Sequence, residues 1–220
     1  IAAALRVVKP MVLLPIDFMR AVQHAPDFTR ELEDAMLRCA AEFPKLPGWS
    51  IFVVDVSGSM NQAMSGKTQF TRMTAAAAMT VLATEMCEHC TIYATAGNDS
   101  TRAHQTEKVR PVRGFALSER ILDCARSLGG GGIFTRQCLE YIRNQEKGNP
   151  DRIIVFSDSQ DCDLERSKKP APFGKCNYIV DVSSHSHGIN YEGVWTAEIA
   201  SWSEHFLRYI AELERSDYLQ

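Results

Sequence analysis

Apolar residues change their period once, sharply, along this chain. Between residues 27 and 43, Phe28, Leu32, Ala35, Met36, Cys39 and Phe43 recur three and four apart, while Arg30, Glu31, Asp34 and Arg38 fill the other face. That spacing predicts an amphipathic helix. A shorter helix over 15–25 precedes it, opened by Pro15 at its first turn. The stretch 44–48, with Pro44, Pro47 and Gly48, is expected to end the helical part. From residue 51 the pattern is one of blocks. Ile51-Phe52-Val53-Val54 and Ile153-Ile154-Val155-Phe156 are short continuous apolar runs, as in strands covered on both faces. Residues 91–96 and 178–180 read as further strands, and 109–112 as an edge strand beside Pro111. Helices are predicted over 68–87, 118–127 and 135–145, and from Ser203 onward. In the first of these, Ala75 to Ala78 allow close packing on a sheet. Alternating strands and helices predict an α/β fold: a Rossmann-like, doubly wound, mostly parallel sheet after a short helical segment, divided as 1–48 and 49–220.

Composition narrows the function classes. The chain has 220 residues, 45% hydrophobic and 23% charged, which suits a globular core and excludes a disordered or fibrous chain. A net charge of −3 excludes a protein that coats nucleic acid through bulk positive charge. No apolar run approaches the length of a membrane helix. The start at Ile1, without an initiator Met, is read as a piece of a longer chain. The seven cysteines, an odd number, are read as free thiols of a reducing, cytoplasmic compartment. Cys87-Glu88-His89-Cys90 has no second pair to complete a zinc site, so inert thiols at a helix end are expected.

Both apolar strand runs end in carboxylates. The first continues into Asp55-Val56-Ser57-Gly58-Ser59 and the second into Ser157-Asp158. Ligands of open α/β sheets bind outside the carboxyl ends of the strands, so an Asp there is placed for chemistry. A carboxylate with two hydroxyls at alternate positions is a hard-oxygen set suited to Mg²⁺ or Mn²⁺, with waters and an open position left over. The alternative is that Asp55 and Ser57 only cap the following loop.

This D-x-S-x-S after a buried strand resembles the metal-ion-dependent adhesion site of von Willebrand factor type A domains. The resemblance implies metal ligands at Asp55, Ser57 and Ser59, with Asp158 at the end of the later strand. The family's second loop reads Gly-Gly-Thr-x-Thr. Here Gly131-Gly132-Ile133-Phe134-Thr135 puts Ile133 in the usual threonine slot and leaves Thr135 as the remaining candidate. A narrower resemblance runs from helix 28–41 through Lys45-Leu46-Pro47-Gly48 into Phe52 to Met60, and again at Ile199 to Glu204. It is similar to the junction in Ro (TROVE-module) proteins, where a ring of helical repeats meets a type A domain. It implies a non-catalytic, cytoplasmic ribonucleoprotein subunit, with small noncoding RNA such as Y RNA or misfolded RNA held by the ring of the intact protein. An acidic protein partner at the metal face is also implied. An Mg²⁺-dependent interaction module without RNA, and, with least support, a metal-assisted hydrolase, are the other readings.

Other motifs carry less. Ser65-Gly66-Lys67-Thr68 lacks the earlier glycine of a phosphate-binding loop, because Asn61 stands there. Asp181-Val182-Ser183 repeats only part of the metal motif. His185 and His187 have no third ligand in view, and the loop 166–172 reads as solvated. Arg102, Arg110 and Arg113 surround the expected edge strand and read as a solvated basic face.

Overall fold

The computed structural model describes residues 15–64, 70–163, 169–183, 193–200 and 205–215. Helices α1 (Pro15–His24) and α2 (Thr29–Ala41) lead into strand β1 (Leu46–Asp55). There follow α3 (Arg72–Glu85), β2 (Cys87–Asn98), β3 (Ala103–Lys108), α4 (Phe115–Ser127), α5 (Thr135–Gln145), β4 (Arg152–Ser157), β5 (Cys176–Asp181), β6 (Ala197–Ala200) and α6 (His205–Arg215). The six strands form one sheet in the order β3-β2-β1-β4-β5-β6. All neighbours run parallel except the antiparallel pair β2–β3. The chain order reverses between β1 and β4, so their carboxyl ends flank the crevice where such sheets place ligands.

Both central strands are buried on both faces, as their unbroken apolar runs predict. Phe52, Val54, Ile154 and Phe156 point into one core, and Ile51, Val53, Ile153 and Val155 into the other. On the first face Phe156 stacks near Phe52 at 6.1 Å between centroids and meets the edge of Phe206 from α6 at 5.5 Å. On the second face α5 contributes Cys138, Leu139 and Ile142. Each such side chain fully buried contributes about 1.5–3 kcal/mol, so the strands that carry the candidate residues are rigidly held.

The helical segment belongs to the same core. Phe18 of α1 and Leu32, Ala35 and Met36 of α2 share one apolar cluster with Met79, Leu82 and Ile121 of the sheet-covering helices. Helix α3 is therefore covered on the sheet side and on the outer side, and its alanines 75 to 78 are all buried. Glu33 of α2 adds a polar tie: its Oε1 accepts the Phe115 backbone N–H at 2.6 Å. Gly114 before it has φ +68°, and a Cβ there would collide with the Glu33 carboxylate.

Four sequence expectations shift. Leu46, Pro47 and Gly48 do not end the helical part; they open β1, with a register shift between Leu46 and Trp49 and with Gly48 at φ +81°. Such a bulge accommodates residues that otherwise read as breakers. The edge strand lies at Ala103–Lys108 and not at 109–112. Strand β6 was not anticipated. Cys87 begins β2 instead of ending a helix, and Cys90 of the same strand is exposed.

Candidate metal centre at the sheet switch point

Asp55 is the last residue of β1 and is fully buried. Its Oδ1 accepts the Ser57 N–H at 2.8 Å, and its Oδ2 accepts the Ser157 hydroxyl at 2.6 Å. Burial pushes its carboxyl up to about 6, offset in part by the hydrogen bonds from Ser157 and Ser57 and reinforced by the charge of Asp158. Ser57, also buried, and the half-buried Ser59 place their hydroxyl oxygens 3.2 Å apart. Two neighbouring ligands on an octahedral Mg²⁺ at about 2.0–2.1 Å from each would lie roughly 3 Å apart, so this pair has the separation the ion needs.

Asp158 follows the end of β4 with a side chain wholly out of solvent. Its Oδ2 accepts a 2.8 Å hydrogen bond from Nη1 of Arg72, the first residue of α3, whose side chain is 8% exposed. The Gln160 N–H approaches Oδ1 at 3.4 Å. Ser159, between them, has φ +60° and donates its N–H to the Ser157 hydroxyl at 3.0 Å.

The glycine loop is seated by close backbone approaches. The Gly131 N–H donates to the Gly97 carbonyl at 3.0 Å, and the Gly58 N–H to the Gly131 carbonyl at 3.3 Å. A Cβ on Gly58 would lie 2.6 Å from the Gly130 carbonyl oxygen, and one on Gly97 2.5 Å from that of Gly132, so both positions require glycine. Ile133 is buried, bridges in parallel to Asp161 and accepts the Cys162 N–H at 2.8 Å. Its slot is thus filled by packing and offers no side-chain oxygen. Thr135, the first residue of α5, is buried, and its N–H donates to Asp161 Oδ1 at 3.3 Å. Asp163 accepts the Arg136 N–H at 2.9 Å and the Gln137 side-chain amide at 3.0 Å.

The donor set of the first loop fits a hard divalent cation in its two hydroxyls and adjoining carboxylate. Among the described residues no group of three or more His, Cys, Asp or Glu side chains gathers as a metal cage. An ion here would therefore rely on Ser57, Ser59 and waters beside Asp55, and would meet an Asp158 already paired with Arg72. Sequence reasoning missed Arg72, Ser157, Asp161 and Asp163. One clue was available for Arg72: it is a cation at the start of a largely apolar, alanine-rich helix.

The remaining motifs resolve simply. The Asp181 carboxylate accepts both the N–H and the hydroxyl of Ser183, at 2.7 and 2.6 Å, a local turn. Arg113 pairs with Glu85 at 2.8 Å, Arg102 donates to the Cys162 carbonyl at 2.6 Å, and Arg110 lines a shallow depression with Glu107, Arg120 and Asp123. The basic face is therefore interleaved with acids. Residues 65–68, His185 and His187, and residues 166–168 lie outside the described residues. No helix among the described residues is long and apolar enough to cross a membrane.

With this geometry in place, comparison with known proteins identifies the fold. No protein-family model matches the chain, and no curated protein matches it. The crystal structure of the Ro (RSR) protein of Deinococcus radiodurans superposes with a TM-score of 0.62 at 16% identity, over 92% of this chain and 44% of that one. The fold is a Rossmann-like von Willebrand factor type A domain. The chain spans less than half the length of that Ro protein. The PilB minor pilin of Streptococcus sanguinis aligns at a TM-score of 0.46 and 13% identity, over 79% of this chain and 61% of that one, too loose a likeness to carry an argument.

Proposed function

We propose that this chain is the C-terminal part of a Ro-like, non-catalytic RNA-binding ribonucleoprotein subunit. Residues 1–48 would close a helical-repeat ring, and the type A domain would present a divalent-cation site. One observation carries the reading. The superposition with the Deinococcus protein covers 92% of the chain, whereas residues 49–220 alone make up only about four-fifths of it. The likeness therefore extends into the helices that precede the type A fold, as the junction motif implies. The seven free cysteines suit a cytoplasmic setting. In this reading small noncoding RNA is held by the ring, and Asp55, Ser57, Ser59, Thr135 and Asp158 surround Mg²⁺ or Mn²⁺ with a position open to an acidic partner. The bound ion would supply positive charge to that partner's carboxylate.

Fluorescence anisotropy of the full-length protein with a small structured RNA tests this. The expected result is binding at low salt that falls steeply with ionic strength, because each neutralised phosphate releases counterions. Absence of binding at low salt would remove the RNA role and leave the second reading, an Mg²⁺-dependent protein-interaction module. That alternative is favoured by the paired Ser57 and Ser59 hydroxyls at the switch point. It requires Mg²⁺ or Mn²⁺ binding heats in the wild type that disappear in Asp55→Ala.

A further inference from the structure

We infer that Arg72 is a built-in competitor of the divalent cation: its guanidinium holds the Asp158 carboxylate, and metal binding requires that hold to be released. The inference rests on the cation-site reading above and concerns a residue that the type A motif does not include.

Several observations converge on Arg72. It stands at the first position of α3, where the helix dipole disfavours a cation, and it is 7% exposed. Eleven of the fourteen residues of this helix are buried, and Glu85 at its far end is the only other charged one. A buried guanidinium in such a place needs a compensating carboxylate, and Asp158 is the one it touches, at 2.8 Å. Among the described residues this is the one hydrogen bond the Arg72 side chain makes, so its remaining guanidinium donors do not anchor it elsewhere; the backbone N–H goes to the Gln62 carbonyl at 3.0 Å. Asp158 in turn acts electrostatically on Asp55, which heads the loop of Ser57 and Ser59. A guanidinium can offer no lone pair to a metal, and its charge repels a dication strongly where water is excluded. Among the described residues Oδ1 of Asp158 is met only by the distant Gln160 N–H, but a dication there would face the guanidinium across one carboxylate in a water-excluded pocket, and that repulsion sets the two cations in competition.

The test is a calorimetric titration of Mg²⁺ and Mn²⁺ into the wild type, Arg72→Gln, Arg72→Lys and Asp55→Ala, with folding checked by circular dichroism. Arg72→Gln is expected to bind at least about tenfold more tightly than the wild type, or to bind where the wild type does not. Arg72→Lys keeps the charge and is expected to stay within about threefold of the wild type. A wild type that binds metal while Arg72→Gln binds equally or more weakly overturns the inference and leaves the metal site standing. Absence of binding in all four proteins removes the metal site and the inference together. Should Arg72→Gln fail to fold, the wild type decides. In a ¹⁵N-labelled sample, the Arg72 Nε–H resonance should move as Mg²⁺ saturates the Ser57 and Ser59 amide shifts. A resonance that stays still at saturation overturns the proposal.

Discussion

Strand β4 has an arginine–carboxylate pair at each end, wholly buried at the carboxyl end and with a half-buried carboxylate at the amino end, and the two are built differently. At the amino end, Arg152 is clamped by both oxygens of Glu214, at 2.8 and 2.6 Å, and also donates to the Pro47 carbonyl and the Ser50 hydroxyl. This fork ties α6 and the start of β1 to β4 and engages four of the five guanidinium N–H donors. At the carboxyl end, Arg72 reaches Asp158 through a single bond, beside a second buried carboxylate whose proton affinity is raised. The same ionic chemistry therefore does two jobs. A multiply bonded pair fastens the sheet, and a singly bonded one leaves charge that a ligand can exploit. Sheets of this order recognise ligands at the carboxyl end, which is also where the structure leaves its electrostatics least settled.

The comparison breaks most easily at its fastened end. Arg152→Met should destabilise the protein by about 3–5 kcal/mol, because Glu214 is left, among the described residues, with only the Tyr178 hydroxyl, and the Ser50 hydroxyl and the Pro47 carbonyl lose the guanidinium. Urea denaturation midpoints measure this. A loss below about 1 kcal/mol would mean that the amino-end pair is not a fastening and that the contrast is only geometric.

Asp55→Asn sharpens the other end. Asp55 has a folded-state pKa raised to about 6, above its ordinary 3.8. Its protonated form favours folding: that contribution is complete below about pH 4 and is lost as pH rises through 6. The asparagine removes the loss. With a chelator present, the variant's stability relative to wild type should rise between pH 4 and 7, by up to about 3 kcal/mol. Denaturation midpoints across that range check it. A difference that does not depend on pH would show that the carboxylate is comfortable in its pocket and that the carboxyl end carries no such tension.

What the chain disclosed in advance follows from where the information lies. Strands β1 and β4 were legible because burial on both faces leaves unbroken apolar runs, and Asp55, Ser57, Ser59 and Asp158 followed because they continue those runs. Strand β3 was not: its Ala-His-Gln-Thr-Glu-Lys is a half-exposed edge with no apolar alternation, while the more apolar 109–112 only follows it. The start of β1 was hidden by a Pro-Gly pair that a bulge accommodates. Arg72 and Asp158 lie 86 residues apart, and no local pattern joins them. The fit of Ile133 was half visible. The missing threonine could be read directly, but its burial against the 161–162 segment needed the fold.

The smallest effect expected concerns the helical segment, and it asks whether the contrast between fastened and open regions extends beyond the sheet. Helix α4 has no side-chain cap of its own; the residue before it is Gly114, and its first N–H is taken by Glu33 from α2 at 2.6 Å. A carboxylate at a helix N-terminus satisfies an orphan donor and suits the dipole, so α2 caps α4 across 82 residues of chain. Replacing a capping acceptor by alanine typically costs about 1 kcal/mol, and that is the loss expected for Glu33→Ala. Glu33→Gln keeps an acceptor and should lose about half as much or less. Hydrogen exchange locates the effect: the Phe115 amide should exchange faster in Glu33→Ala, while amides of β1 and β4 keep their protection. If the Phe115 amide is unchanged, α2 rests on the type A domain through apolar contacts alone. If it speeds up, the helices ahead of the sheet are fastened to it as Arg152 fastens α6, and the carboxyl end of the sheet remains the region left open.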